Sequence, residues 1–180
     1  MIEEKNNKMQ ESERSKKKKI ERRLFEISVK AVIFKDGKVL ILRRSGDSIR
    51  DAGKLDLPGG AVEHGEKIKE GLAREIKEEI GIKIEVGPVV YLSDYEKEYA
   101  LDKEKQKTIQ IYGKGIGILV FYKSGEVKLS DEHEDYEWLD IETAINKFNE
   151  KDNFEVGKKQ ALIEASRYLQ MQNFSDGRRK

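Results

Sequence analysis

Residues 59–82, GGAVEHGEKIKEGLAREIKEEIGI, impose the tightest constraint on how this chain folds. Two glycines open the stretch. From about Glu66 to Ile80 the apolar residues then recur at helical spacing, up to Gly81, a residue suited to a left-handed C-cap. At about 100° per residue, Ile68, Leu72 and Ile76 make a stripe about 80° wide. Glu79 projects inside that stripe, Glu75 lies about 20° beyond its edge, and Glu78 falls within about 100° of Glu79. An unpaired carboxylate on a buried face is costly, so it must be neutralised, paired or bound to a cation. These acids also crowd the C-terminal end of the helix, where its dipole and their mutual repulsion oppose them. Conflicts of this kind mark functional sites. A hard divalent cation, Mg2+ or Mn2+, removes both conflicts because it prefers carboxylate oxygen. Arg74, four residues from both Glu70 and Glu78, is placed to orient a ligand carboxylate. A solvated acidic face with ordinary Glu–Arg pairs is the competing reading of REIKEEI taken alone.

The rest of the composition narrows the chemistry. At 180 residues the chain suffices for one domain with a real core and leaves a second cramped. Apolar residues make up 37% and charged residues 39%, yet the net charge is only +1, so gross electrostatics favour neither nucleic acid nor membrane. The absence of cysteine excludes disulfides, thiolate metal sites and a cysteine nucleophile together. Two histidines, His64 and His133, are too few for a multi-histidine zinc site. Apolar runs such as GIGILVFY are too short to span a bilayer, and MIEEKNNKMQ lacks a signal-peptide core, so a cytoplasmic location is expected.

Residues 1–23 form a basic arm, helical or disordered, with nine Lys/Arg against five Asp/Glu. Its local excess of positive charge makes it a candidate for weak nucleic-acid contact. FEISVKAVIF and KVLILRR read as strands joined at Asp36-Gly37, a dipeptide suited to a tight hairpin. A loop, SGDSIRDAGKLD, leads into LPGG and the helix. IKIEVGPVVYL reads as a strand entering a charged, tyrosine-rich loop over 93–107, and TIQIYGKGIGILVFY as one long strand or two. YEWLD closes a short strand, Asp140 is placed to cap a helix over 141–150, and a last helix spans roughly 156–172. This order predicts an α/β fold with a largely antiparallel or mixed sheet in one domain, residues 24–175, followed by a polar tail, 176–180.

Gly60, five residues, Glu66, seven residues, Arg74-Glu75-Ile76, one residue, Glu78-Glu79, one residue, Gly81-Ile82: this spacing resembles the Nudix hydrolase box at every defined position. The flanking LPGG and the late DEHEDYEWLD extend the resemblance over about residues 25–140. It implies a Nudix fold, an α/β/α sandwich with a mixed sheet. It also implies Mg2+- or Mn2+-dependent hydrolysis of a nucleoside diphosphate linked to another moiety. By the same resemblance Glu75, Glu78, Glu79 and the carbonyl of Gly59 hold the metal, while Glu66 and Arg74 keep the box in shape. Glu132, or failing it Glu134, is the loop acid that serves as ligand or general base, and Glu75 is the alternative base. Arg43, Arg44 and Lys54 are candidates for phosphate contact, or else exposed charges at a strand end. His133 reads as a loop residue.

The leaving group lies outside the box. A (d)NTP pyrophosphohydrolase is the first reading. Diadenosine polyphosphate hydrolysis is an alternative suggested by Tyr99, 17 residues past Ile82. ADP-ribose or nucleotide-sugar hydrolysis is another, and the lack of proline in that window weighs against ADP-ribose. Leu55 stands where many relatives carry tryptophan. A Nudix-fold RNA-binding or regulatory module has no need of three carboxylates, and an isoprenoid diphosphate isomerase would need a cysteine. A homodimer is compatible with the sequence.

Overall fold

A computed structural model describes residues 19–48, 51–102 and 107–177. The chain runs β1 (Lys19–Lys35), β2 (Lys38–Arg44), β3 (Leu55–Asp56), α1 (Ile68–Ile80), β4 (Lys83–Asp102), β5 (Lys107–Ser124), β6 (His133–Asp140), α2 (Ile141–Lys147) and α3 (Val156–Gly177). The basic arm up to residue 18 lies outside the described residues, and its last five residues belong to β1 rather than to a helix or a disordered segment. The last helix runs further than expected, since α3 ends at Gly177. Of the span 93–107, the described residues are strand and not loop: β4 continues to Asp102 and β5 starts at Lys107, with 103–106 outside the described residues. Its charges suit the exposed rim of a long edge strand, where they discourage pairing with another chain. TIQIYGKGIGILVFY falls within a single strand.

The strands form one sheet in the order β3-β2-β1-β5-β4, with β6 added on β2. The described chain divides into two compact units, with boundaries at Phe25/Glu26, Asp94/Tyr95 and Gly113/Lys114. In the smaller unit the Tyr95 ring takes the space that a Cβ on Gly113 would need, and Lys97 lies 4.5 Å from the Tyr95 ring centroid.

The larger unit is a three-layer α/β/α sandwich. Strand alternation sends Val29, Ala31, Ile33, Leu40, Leu42, Ile116, Ile118 and Val120 to one face, where they pack on Leu72, Ile76 and Ile80 of α1. Val32, Val39, Ile41 and Leu119 face the other way, onto Ala144 and Phe148 of α2 and Ala161, Leu162 and Ala165 of α3. Leu55, in the position where tryptophan was missed, is buried in this second core. Asp36 and Gly37 take the positive φ angles, 48° and 81°, that a tight hairpin requires. Gly81 caps α1 at φ 70°, and the Asp140 carboxylate caps α2 by accepting from Thr143 N at 2.8 Å. Among the described residues no helix is long and apolar enough to cross a membrane.

Candidate active site

The turn Leu57–Gly60 is laid along β1 as if it were a further strand. Ala31 N donates to Pro58 O at 2.8 Å, Val29 N to Gly60 O at 2.9 Å and Val62 N to Ile27 O at 2.8 Å. Gly59 sits there at φ +123°, and a Cβ on it would run into the Val29 carbonyl. This docking brings the glycine peptide against the C-terminal half of α1. Gly59 N donates to Glu79 Oε2 at 2.7 Å, so the acid inside the apolar stripe is fixed by a backbone donor and is only 4% exposed. A Cβ on Gly60 would lie 2.7 Å from the Glu75 carboxylate, so the missing side chain is what admits that acid to the turn.

Arg74 organises the other face of the helix end. It donates to Glu66 through Nε and Nη2 at 3.0 and 3.1 Å, to Glu75 at 2.9 Å, to Glu78 at 3.1 Å and to the Ala61 carbonyl at 3.1 Å. Of the two glutamates at four-residue spacing, Glu78 is engaged and Glu70 is not, because Glu70 turns back to Lys67 at the start of the helix. Glu66 takes Glu70's place, fitted against Gly71, where a Cβ would stand 2.7 Å from its Oε2. Glu75, Glu78 and Glu79 thus share a helix end without converging. Among the described residues no three acids or histidines form a ready-made metal cluster. The donor types are nevertheless all hard oxygen, three carboxylates and a glycine carbonyl, and Gly60 leaves the space beside the Glu75 carboxylate free of a side chain, which fits Mg2+ or Mn2+.

Burial pushes the Glu79 carboxyl up to about 7, against the pull of Lys30 and the Gly59 N–H. The folded protein therefore binds a proton more readily than the unfolded chain between about pH 4.5 and 7. Stability from this group is complete below that window and is lost as pH rises through it, by roughly 3 kcal/mol. His133 acts with the opposite sign, since burial lowers its pKa. We expect chelator-treated protein to melt at a falling temperature from pH 5 to 8 more steeply than Glu79→Gln does. Parallel pH profiles for the two proteins would contradict this assignment.

The loop acids separate. Glu134 accepts from Gly46 N at 2.7 Å and so anchors the 45–48 turn. Glu132 is exposed, and its side chain makes no hydrogen bond or ion pair among the described residues. His133 is not a loop residue: it opens β6 opposite Arg44, buried, with neither ring nitrogen bonded among the described residues. The candidate phosphate contacts are engaged within the protein. Arg43 donates to Gly53 O at 2.8 Å, Arg44 to Ser48 at 3.0 Å and Asp56 at 3.4 Å, and Lys54 pairs with Asp51 at 2.8 Å and Asp152 at 2.9 Å. The Tyr99 side chain lies outside the described residues.

Two residues that sequence reasoning passed over stand at the turn. Lys30 Nζ donates to Gly59 O at 2.5 Å and lies 3.0 Å from the carboxylate of fully buried Asp56. Lys158 approaches the same carboxylate at 3.5 Å. Burial alone would raise the Asp56 carboxyl, but Lys30 and Lys158 outweigh it and hold it at about 2. The signal was present: Lys30 interrupts ISVKAVIF and Asp56 interrupts LDL, one charge of each sign within apolar strands.

A family model described as NUDIX domain matches residues 24–160. The chain is 32% identical over 121 residues to the nucleoside triphosphatase NudI of Escherichia coli O139:H28, spanning 64% of this chain and 82% of that one. It is similar to the crystal structure of a MutT protein from Methanosarcina mazei Go1, with a TM-score of 0.61 at 32% identity over 82% of this chain and 96% of the other. A MutT Nudix hydrolase from Burkholderia pseudomallei aligns with a TM-score of 0.52 at 27% identity, over 66% of this chain and 84% of its own.

Proposed function

The chain belongs to the Nudix hydrolase family, and on that footing we propose that it is a cytoplasmic (d)NTP pyrophosphohydrolase that uses Mg2+ or Mn2+. The observation that carries this reading is the Glu79 carboxylate, buried inside the apolar stripe and fixed on Gly59 N beside Glu75. Similarity to a relative named a nucleoside triphosphatase supports the substrate class.

Glu75, Glu78, Glu79 and the Gly59 carbonyl are the groups that would hold the metal. When bound, it supplies positive charge to the polyphosphate and lowers the pKa of water. The protein's own residues do the rest. The Gly59 N–H fixes the Glu79 carboxylate in place, and Arg74 orients Glu75 and Glu78 while tying the helix to the turn through Ala61 O. Glu132, exposed and with no side-chain bond among the described residues, is the acid we assign to accept the proton of the attacking water, with Glu75 as the alternative base.

The deciding experiment is a nucleotide panel with product identification, with and without Mg2+. Release of nucleoside monophosphate and pyrophosphate from (d)NTPs, dependent on metal, is the expected result. Turnover confined to ADP-ribose or to dinucleoside polyphosphates would replace this substrate class. RNA affinity that survives Glu79→Gln, without turnover of any nucleotide, would support a binding module instead.

A further inference from the structure

Gly59 presents both polar atoms of its backbone to opposite charges. Its N–H faces the Glu79 carboxylate at 2.7 Å, and its carbonyl accepts from the Lys30 ammonium at 2.5 Å. That carbonyl is also a ligand in the metal site proposed above. β1 alternation brings Lys30 there from the face opposite α1, since its neighbours Val29 and Ala31 pack on α1. The same ammonium has a second seat within reach, the Asp56 carboxylate at 3.0 Å. Asp56 is fully buried and holds Arg44 at 3.4 Å and Lys158 at 3.5 Å as well, so it stays compensated whether or not Lys30 leans on it.

We propose that Lys30 is a positioning residue that competes with the divalent cation for the Gly59 carbonyl and withdraws onto Asp56 when the cation binds. Two positive charges on one carbonyl oxygen repel each other, and repulsion is strongest where water is excluded. A lysine, with four rotatable carbons, needs only a short swing to give up the oxygen and keep its ion pair. Lys30 then holds the turn in its metal-accepting shape and sets the threshold of metal concentration at which the site loads. Asp56 determines how readily Lys30 yields. This inference rests on the metal reading of Glu79 and Gly59.

The two partners are expected to act in opposite directions. In Lys30→Met the carbonyl loses its competitor, and Mn2+ binds at least about fivefold more tightly. In Asp56→Asn the second seat is weakened, and Mn2+ binds more weakly by a similar factor. The double variant follows Lys30→Met, because Asp56 reaches the Gly59 carbonyl through Lys30. Free Mn2+ counted by electron paramagnetic resonance over metal-stripped protein gives the affinities without recourse to activity, and circular dichroism checks folding. A Lys30–Asp56 bridge that only supports the fold would leave Mn2+ affinity unchanged or weaken it in both variants, and either result overturns the proposal. Should Asp56→Asn fail to fold, the direction of the change in Lys30→Met decides alone. If wild type and Glu79→Gln bind Mn2+ equally, the metal reading itself has failed. If they differ as expected while Lys30→Met does not tighten binding, only this inference falls.

Discussion

Glu79→Gln is expected to lower kcat at least about 10³-fold with little loss of fold. The amide oxygen still accepts the Gly59 N–H bond, so the turn stays in place. What disappears is a full negative charge among the candidate ligands, and several kcal/mol of transition-state stabilisation corresponds to about that factor. Above pH 7 the variant is expected to melt higher than chelator-treated wild type, since burying the Glu79 carboxylate is what raises its pKa to about 7. Steady-state kinetics at saturating Mg2+ and a melting curve test both halves. Full turnover by the variant would remove Glu79 from the site.

Gly59→Ala carries the second large effect, this time on stability. The backbone at φ +123° is close to glycine-only territory, and the added Cβ would overlap the Val29 carbonyl, a backbone atom that β1 holds in place. Strain and displacement together amount to about 3 kcal/mol or more, which lowers the melting temperature by roughly 6–12 °C in a chain of this size. Gly65→Ala is the control. Gly65 also has a positive φ, 83°, but a Cβ there meets nothing within 4 Å, so only the smaller conformational cost of about 1 kcal/mol applies. Equal melting of the two variants would show that the close approach of Gly59 to β1 is not what holds the turn.

The helix was readable because its signals are local. Apolar spacing, Gly81 as cap and Asp140 at the start of α2 each depend on a few adjacent residues, and each recurs in the structure. Residues 93–102 were misread because charge and tyrosine look the same in a loop and on an exposed edge strand; only pairing with β5 distinguishes them. Arg74 shows the same limit inside the box. Helical spacing offered Glu70 and Glu78, but Glu70 is held by Lys67, and Glu66 folds back into its place. The basic residues Arg43, Arg44 and Lys54 could be nominated for phosphate from their positions alone. Their commitment to Gly53, Asp56, Ser48, Asp51 and Asp152 is a matter of which loops meet.

By itself, then, the order of residues determined that carboxylates would crowd one helix end behind a glycine turn, because helical periodicity and glycine's freedom act over a few residues. Only the tertiary structure decided that Glu79 is buried on Gly59 N, and that Lys30 meets both the Gly59 carbonyl and Asp56. Those partners come from separate strands and helices. Ion pairs over such separations exist only once the sheet has brought its strands together, and no local preference specifies them.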